Sequence, residues 1–222
     1  MKINEKTIVD QYEELQQEKT TTETAFDFGY NALGGFGDTC KKLTGRRPSP
    51  AENKSIIQIS RLTTPMGPMF IGSTNMGICL LEFTNRKSLE AELQDLQQRR
   101  HARILPGENT HIKQAKDELD EYFAGKRQQF DAAIDPVGTK FQQLVWRSLL
   151  TIPYGTTISY LEQAKRLGRE KSVRAVASAN GHNKISIIVP CHRVIGSDGS
   201  LTGYGGGLER KKWLLDLEKR NP

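Results

Sequence analysis

Residues 187–193, with the sequence IIVPCHR, constrain the fold of this chain more than any other stretch. Their apolar start predicts a buried strand that ends at Pro190, because proline fixes its own φ and lacks a backbone donor. Cys191 follows directly, with a histidine and an arginine beside it that can activate it. A free thiol has a pKa of about 8.5, so it needs a nearby base or positive charge to form a thiolate at neutral pH. The stretch predicts a reactive thiol, and a small buried structural cysteine is the alternative.

Composition restricts where such a thiol can work. No apolar run approaches the roughly 18 residues of a membrane helix, and residues 1–6 lack the apolar core of a signal peptide, so we expect a cytoplasmic protein. Cys40, Cys79 and Cys191 form no Cys-x-x-Cys pair, so the sequence indicates neither a disulfide framework nor a zinc site. The net charge of +6 is compatible with a polyanionic partner.

Residues 1–50 are predicted to form a short helical segment. Apolar spacing predicts one helix within residues 21–30 and another over 31–43, joined by a glycine-containing turn. The stretch from Ala25 to Pro48 resembles the second DNA-binding unit of the AraC family, as a partial helix-turn-helix. Three glycines in its second helix each cost up to about 1 kcal/mol of helix propensity: Gly34, Gly35 and Gly37. A promoter-reading unit and a vestigial or flexible appendage remain alternatives, and the reactivity of Cys40 stays open.

Residues 54–135 are predicted to form a small antiparallel sheet covered by helices. Apolar, strand-like runs at 56–62, 69–73 and 78–83 are separated by turn-rich segments, which is typical of a meander. Ser88 and Thr110 each precede apolar residues at helical spacing, and Gly125 ends the second series. Cys79 fits a packing role, and nothing in this half indicates chemistry of its own.

Residues 137–220 are predicted to form a mainly helical domain. Thr139 and Ser159 each begin a helix with the spacing of a capping box, and Gly168 closes the second helix. A third helix over residues 172–179 completes a helix-turn-helix with basic residues around it. Its small residues would let it approach a minor groove about 6 Å wide. An alanine-rich core helix with a basic rim is the alternative.

Three motifs follow this helical pair at ordered spacing: residues 190–194 (PCHRV), 203–208 (GYGGGL) and 213–215 (WLL). Over residues 137–219 the chain resembles the O6-alkylguanine-DNA alkyltransferase family. The resemblance implies an α+β fold with a ribonuclease-H-like antiparallel sheet domain at 54–135, followed by a winged-helix-like DNA-binding and catalytic domain at 137–220. It also implies a monomer that repairs double-stranded DNA containing O6-alkylguanine and uses no cofactor or metal.

By this resemblance, Cys191 takes an alkyl group from O6 of guanine, and less efficiently from O4 of thymine. It acts once, because water does not cleave the resulting thioether. His192 would remove the thiol proton through a water molecule, with Glu218 orienting the imidazole. Asn183 would tie its own loop to the cysteine turn. The family often has proline after that asparagine, whereas this chain has Lys184.

The resemblance also implies base flipping, because a thiolate cannot reach a base inside the duplex. Arg174 would fill the vacated place in the stack, while Tyr160 would push the 3′ phosphate and then hydrogen-bond the guanine. Ala175 and Ser178 belong to the slim helix in the minor groove. The base pocket would be lined by Val194, Tyr204 and Gly205, the last at a position where some members have serine.

Three other functions fit parts of the sequence. An alkylation-responsive transcriptional regulator would use the N-terminal helical unit, but the family's adaptive-response members carry a four-cysteine zinc domain that three dispersed cysteines cannot supply. A damage-recognition protein of the alkyltransferase-like type lacks the acceptor thiol that Cys191 provides. A cysteine hydrolase pairs its cysteine and histidine in space rather than as sequence neighbours.

Overall fold

The structure is a computed structural model, and it describes residues 55–221. In this part of the chain a four-stranded sheet is followed by a mainly helical half, so the predicted α+β class is confirmed. The predicted helix-turn-helix of residues 21–43 and the open question of Cys40 lie outside the described residues. None of the helices between residues 55 and 221 is long and apolar enough to cross a membrane.

The sheet contains the three predicted strands and one more. The strands β1 (Ser55–Thr64), β2 (Gly67–Ser73) and β3 (Ile78–Phe83) are antiparallel neighbours, as the meander predicts. Strand β4 (Ala102–Pro106) pairs in parallel with the other side of β1, giving the order β3-β2-β1-β4. The sheet is therefore not antiparallel throughout. The sequence did not reveal β4 because five residues are too few to show a clear period.

Alternate strand residues cover opposite faces of the sheet. Helix α1 (Leu89–Arg100) packs on the face that contains Phe70. Helix α2 (Thr110–Phe123) packs on the face that contains Ile71, in a core that continues into the second half and includes Cys191. Because the two halves share this apolar core, the sheet supports the helical half directly.

The second half contains four helices: α3 (Lys140–Leu149), α4 (Tyr160–Arg166), α5 (Val173–Gly181) and α6 (Leu208–Arg220). A short parallel pair, β5 (Ile158–Ser159) and β6 (Val194–Ile195), joins the start of α4 to the segment after Cys191. A small core of its own lies between α3, α4 and α5, formed by Val145, Ala164, Val176 and Ala179. Helices α4 and α5 are the helical pair that the sequence predicts.

The starts of α3 and α4 follow the predicted caps to different degrees. Thr139 accepts a hydrogen bond from the Gln142 backbone N–H, and the Gln142 side chain accepts one from the Thr139 N–H, which completes the predicted capping box. Ser159 makes only the first of these two bonds, to the N–H of Glu162. The Glu162 carboxylate pairs with Arg166 instead, so the second capping box is half formed.

The prediction of a strand that leads into Pro190 is wrong. Only Ile185 makes a strand-like bridge, to Leu81 of β3, and the backbone then turns through Ile187 with a φ of +72°. Cys191–Arg193 forms a single 3-10 turn. The segment is apolar because it is buried in the core shared by the two halves, and burial rather than sheet pairing explains its composition.

Gly138→Ala should destabilise the protein, because a Cβ at residue 138 would stand 2.5 Å from Cη2 of Trp146. Trp146 cannot retreat easily, since its Nε1 donates to the carbonyl of Ala179 at 2.8 Å. We expect the free energy of unfolding to fall by about 1–3 kcal/mol, the usual cost of overpacking. Gly181→Ala is the matched control, because nothing lies within 4 Å of a Cβ there. Urea denaturation compares the two variants, and equal effects would contradict this packing account.

Candidate active site

Cys191 lies buried at the start of the 3-10 turn and is held by Asn183. The Asn183 Nδ2 donates to the Cys191 Sγ at 3.2 Å and to the carbonyl of Val189 at 2.8 Å. The Asn183 Oδ1 accepts from the N–H of Ile185 at 3.0 Å, so the amide connects its own loop to the cysteine turn. Burial raises the pKa of the Cys191 thiol, and the hydrogen bond from Asn183 opposes this only in part. The thiol is therefore protonated at neutral pH in this structure.

His192 is bound to Glu218 through one of its two ring nitrogens. Its Nε2 donates to the Glu218 Oε1 at 2.8 Å, and both side chains are fully buried. Burial lowers the pKa of His192 in spite of the neighbouring carboxylate, so the imidazole is neutral at pH 7. Because Glu218 is an acceptor, the ring proton sits on Nε2 and leaves a lone pair on Nδ1. That Nδ1 is buried and has no hydrogen-bond partner among residues 55–221.

Glu218 accepts hydrogen bonds from four residues in three segments of the chain. Besides His192, the donors are the Tyr122 hydroxyl at 2.8 Å, the Gly155 N–H at 3.1 Å, and Nε and Nη2 of Arg193, each at 3.0 Å. Burial alone would raise the pKa of Glu218, but its hydrogen bonds with His192 and Arg193 and the charge of Arg193 outweigh burial and lower it to about 2. The carboxylate is therefore ionised and fixes the imidazole. Arg193, a candidate for activating the thiol directly, is engaged by Glu218 instead.

Tyr160 and Lys211 hold the segment that precedes the glycine-rich loop. The Tyr160 hydroxyl lies 3.1 Å from the carbonyl oxygens of both Thr202 and Gly203. The Lys211 Nζ donates to the carbonyls of Val194 and Thr202 at 2.6 Å each. Burial lowers the pKa of Lys211 to about 8, against the opposing influence of Cys191. These bonds place the carbonyl of Val194, a predicted pocket residue, at the base of the loop.

Tyr204 and Gly205 form the next part of that loop. The Tyr204 ring stands edge-on to the His192 ring with 6.5 Å between their centroids. Gly205 lies against Arg86 so closely that a Cβ there would be 2.5 Å from the guanidinium carbon. The structure thus places Tyr204 beside His192 and Gly205 beside Arg86 of the first half.

The predicted DNA-contacting residues lie on one exposed side of α5. Arg174, Ala175 and Ser178 are exposed, whereas Val176 and Ala179 between them are buried against α3 and α4. No hydrogen bond among residues 55–221 joins the three exposed side chains to the cysteine site. The predicted DNA-binding surface and the thiol are therefore not joined by hydrogen bonds, although both lie in the second half.

Comparison with known proteins gives matches to both halves. Residues 140–220 match the 6-O-methylguanine DNA methyltransferase DNA binding domain, and residues 59–136 match the ribonuclease-like domain of that family. A Mycobacterium bovis relative named methylated-DNA–protein-cysteine methyltransferase is 47% identical over 167 residues, which is 74% of this chain and 93% of the relative. A Methanosarcina barkeri relative of the same name is 40% identical over 161 residues, covering 72% of this chain and 96% of the relative.

A solved structure agrees with these matches. The crystal structure of Mycobacterium tuberculosis OGT in complex with DNA has a TM-score of 0.63 and 44% identity, covering 75% of this chain and 94% of that chain. The chain belongs to the 6-O-methylguanine DNA methyltransferase family. The family predicted from the cysteine and glycine motifs is thereby confirmed. Helices α3 to α6 lie in the family's DNA binding domain, and the sheet lies in its ribonuclease-like domain.

Sequence reasoning missed two residues that shape the methyltransferase site, Tyr122 and Lys211, and the bonding partner of a third, Arg193. Tyr122 lies in the apolar stripe of α2, a position that indicates a core residue. No neighbouring residue in the sequence indicates its bond to Glu218. The sequence indicates Arg193 as an activator of the thiol, whereas in the structure its guanidinium is bound to Glu218. Lys211 was detectable, because Lys211, Leu214 and Glu218 share one face of α6 at helical spacing, and charged residues on an apolar face indicate buried bonds.

Glu218→Gln should cost about 3–5 kcal/mol of unfolding free energy at pH 7, because it leaves the buried charge of Arg193 without its counter-ion. The pH dependence gives a second readout. The depressed pKa of Glu218 stabilises the fold fully above its ordinary value of 4.5, and this stabilisation is lost as the pH falls toward about 2. The variant should lack this acid-sensitive component.

Glu209→Gln is the control, since Glu209 is exposed on the same helix. Urea unfolding at pH 7 and pH 3 measures both variants. If Glu209→Gln and Glu218→Gln lose the same stability, the buried carboxylate is not the centre of this network.

Proposed function

We propose that this protein repairs DNA by transferring an alkyl group, methyl above all, from O6 of guanine directly to Cys191. O4-alkylthymine is the weaker substrate. The observation that carries the proposal is the pairing of a buried thiol, bound by Asn183, with a neighbouring neutral histidine whose Nε2 is fixed by Glu218. Membership of the 6-O-methylguanine DNA methyltransferase family supports the same reaction.

The first step of the proposed reaction is removal of the thiol proton. The raised pKa of Cys191 means that the thiol does not ionise by itself at neutral pH. The lone pair on the His192 Nδ1 can take the proton through a water molecule, and the imidazolium that forms is stabilised by the ionised Glu218. Asn183 and the charge of Lys211 both favour the thiolate. In this proposal, the thiolate forms in the pocket that receives the flipped guanine.

The second step is displacement at the alkyl carbon. A bond forms between the Cys191 Sγ and this carbon while the bond from carbon to guanine O6 breaks, and its electron pair stays on the guanine. The guanine anion takes up one proton and His192 releases the proton that came from the thiol, so protons and charge balance over the whole reaction. Tyr160 hydrogen-bonds the guanine as it leaves. No second half-reaction follows, because water does not cleave a thioether, and each molecule reacts once.

Access to the base requires flipping. In the proposal, α5 enters the minor groove with Ala175 and Ser178 toward the DNA, and Arg174 occupies the place that the base vacates. All three side chains are exposed, and those of Ala175 and Ser178 are small, which supports this orientation. Tyr160 would exchange its bonds to the loop carbonyls for one to the 3′ phosphate. The flipped guanine would then lie between Val194, Tyr204 and Gly205.

We assign the domains as the sequence predicts. Residues 54–135 serve as the ribonuclease-like support, and residues 137–220 bind DNA and carry out the chemistry. We expect a monomer whose partner is double-stranded DNA containing O6-alkylguanine. The regulator alternative gains no support from the comparisons, and its N-terminal unit lies outside the described residues.

Cys191→Ser should abolish alkyl transfer while leaving binding to the modified duplex in place, because only the acceptor atom changes. The assay is single-turnover reaction with DNA carrying O6-methylguanine labelled on the methyl group, followed by mass mapping of the protein. The unaltered protein should carry one methyl group on Cys191. Cys79→Ser is the control, because burial raises the pKa of Cys79 to about 12 and makes it a poor nucleophile. A methyl group on any other residue would overturn the assignment.

Arg174→Ala should slow repair of duplex DNA by about tenfold or more, because a few kcal/mol of flipping cost then go uncompensated. Reaction with the free O6-alkylated base should be unchanged, since no flipping is needed. Arg169→Ala serves as the control for lost positive charge, because Arg169 is exposed just before α5. If Arg174→Ala slows the reaction equally on duplex DNA and on the free base, Arg174 has no role in flipping.

A further inference from the structure

Arg86 lies in the turn after β3 and is held by a cluster of carboxylates. Its side chain is only 7% exposed, pairs with Glu82 and lies 2.8 Å from the Glu92 Oε1. Its Nε donates to the Ser88 Oγ at 2.8 Å. An arginine with this many partners has a fixed guanidinium plane, because each bond removes side-chain freedom. Arg86 is therefore a rigid group at the border of the first half.

The same guanidinium reaches the loop of the second half that carries Asn183. Its Nη2 donates to the carbonyl of Gly181 at 2.7 Å, and its Nη1 lies 3.5 Å from the carbonyl of Asn183. Glu82 strengthens this link, since its Oε2 accepts from the Ser186 Oγ at 2.9 Å. The loop that positions the thiol through Asn183 is thus bound at both ends by one ion pair of the ribonuclease-like half.

On its other side Arg86 touches the glycine-rich loop. A Cβ at residue 205 would stand 2.5 Å from the Arg86 Cζ, so the guanidinium fills the space that any larger residue would need. Gly205 has no positive φ, so its backbone does not require glycine. The close approach of Arg86 is the reason that the structure gives for glycine at this position.

We propose that Arg86 is a positioning residue for alkyl transfer, which sets the distance between the Asn183 loop and the Gly205 loop on either side of Cys191. This inference rests on the proposed function of Cys191. By this account, the ribonuclease-like half affects the rate of alkyl transfer through the Arg86 side chain. The position of Arg86 in turn requires glycine at residue 205. A purely structural ion pair would hold the halves together without affecting the rate of reaction once DNA is bound.

Arg86→Ala should lower the rate constant of methyl transfer at saturating DNA by about 10- to 100-fold, as expected for a misplaced reacting group. The Kd for modified duplex should stay within about twofold, because α5 and its exposed face are untouched. The variant is expected to fold, since the pKa of Glu82, already raised to about 7 by burial, lets this carboxyl become neutral when its partner is removed. Arg103→Ala, which changes an exposed arginine of β4, is the control and should react normally.

The decisive comparison is a double-mutant cycle with Gly205→Ala. In the native background this substitution should slow transfer by about tenfold or more, because the new methyl group collides with a guanidinium that cannot retreat. In the Arg86→Ala background it should cost several-fold less than in the native background, which is the signature of direct coupling. Thermal unfolding of each variant verifies that it is folded. If Arg86→Ala does not fold, Arg86→Lys takes its place, because lysine lacks the planar group beside Gly205.

The inference is overturned by a transfer rate in Arg86→Ala equal to that of the unaltered protein, or by an equal cost of Gly205→Ala in both backgrounds. Weaker DNA binding with an unchanged rate at saturation would overturn it as well. The unaltered protein is measured in the same assay. If it transfers no methyl group, the proposed function fails, whereas the inference alone fails when the unaltered protein and Arg86→Ala react equally fast.

Discussion

The buried carboxylate of Glu218 is the interaction on which the rest of the structure depends. It accepts hydrogen bonds from Tyr122 in the first half and from Gly155, His192 and Arg193 in the second. A buried charge lacking such partners costs several kcal/mol, so α2, α6 and the cysteine turn have to come together for any of them to be stable. The same bonds fix the tautomer of His192. Stability and the proposed chemistry therefore come from one group.

Burial of Cys191 explains how a protein that reacts once can keep its thiol until the substrate arrives. A thiolate exposed to solvent is open to oxidation and to other alkylating agents, and susceptibility follows thiolate character and exposure. Here burial raises the pKa of Cys191, while Asn183 and Lys211 favour the ionised form without producing it. In the proposed mechanism, the guanine has to be brought to the thiol and His192 has to take the proton. Selectivity is thus built into the resting state.

Most of the fold was accessible from the sequence because its signals are local. The meander and the capping box at Thr139 depend on short-range periodicity and turn chemistry, and both formed as expected. The prediction of a strand before Pro190 is wrong because an apolar run indicates burial but does not distinguish a strand from a buried turn. The contacts of Glu218 with Tyr122 and of Arg86 with Gly205 were inaccessible, since each joins residues about a hundred positions apart and neither has a local pattern.

The Asn183 loop shows how one departure from the family pattern is absorbed by the rest of the chain. Lys184 stands where proline is frequent, and proline would restrict the loop through its fixed φ. Lys184 is instead buried, with its Nζ 2.9 Å from the Asp95 Oδ2 and 5.9 Å from the centre of the Trp146 ring. Its carbonyl also accepts from the N–H of Leu81 at 2.8 Å. Tertiary contacts from the ribonuclease-like half thus supply the rigidity that proline would supply locally, so in this chain the order of the thiol-binding loop depends on both halves being folded.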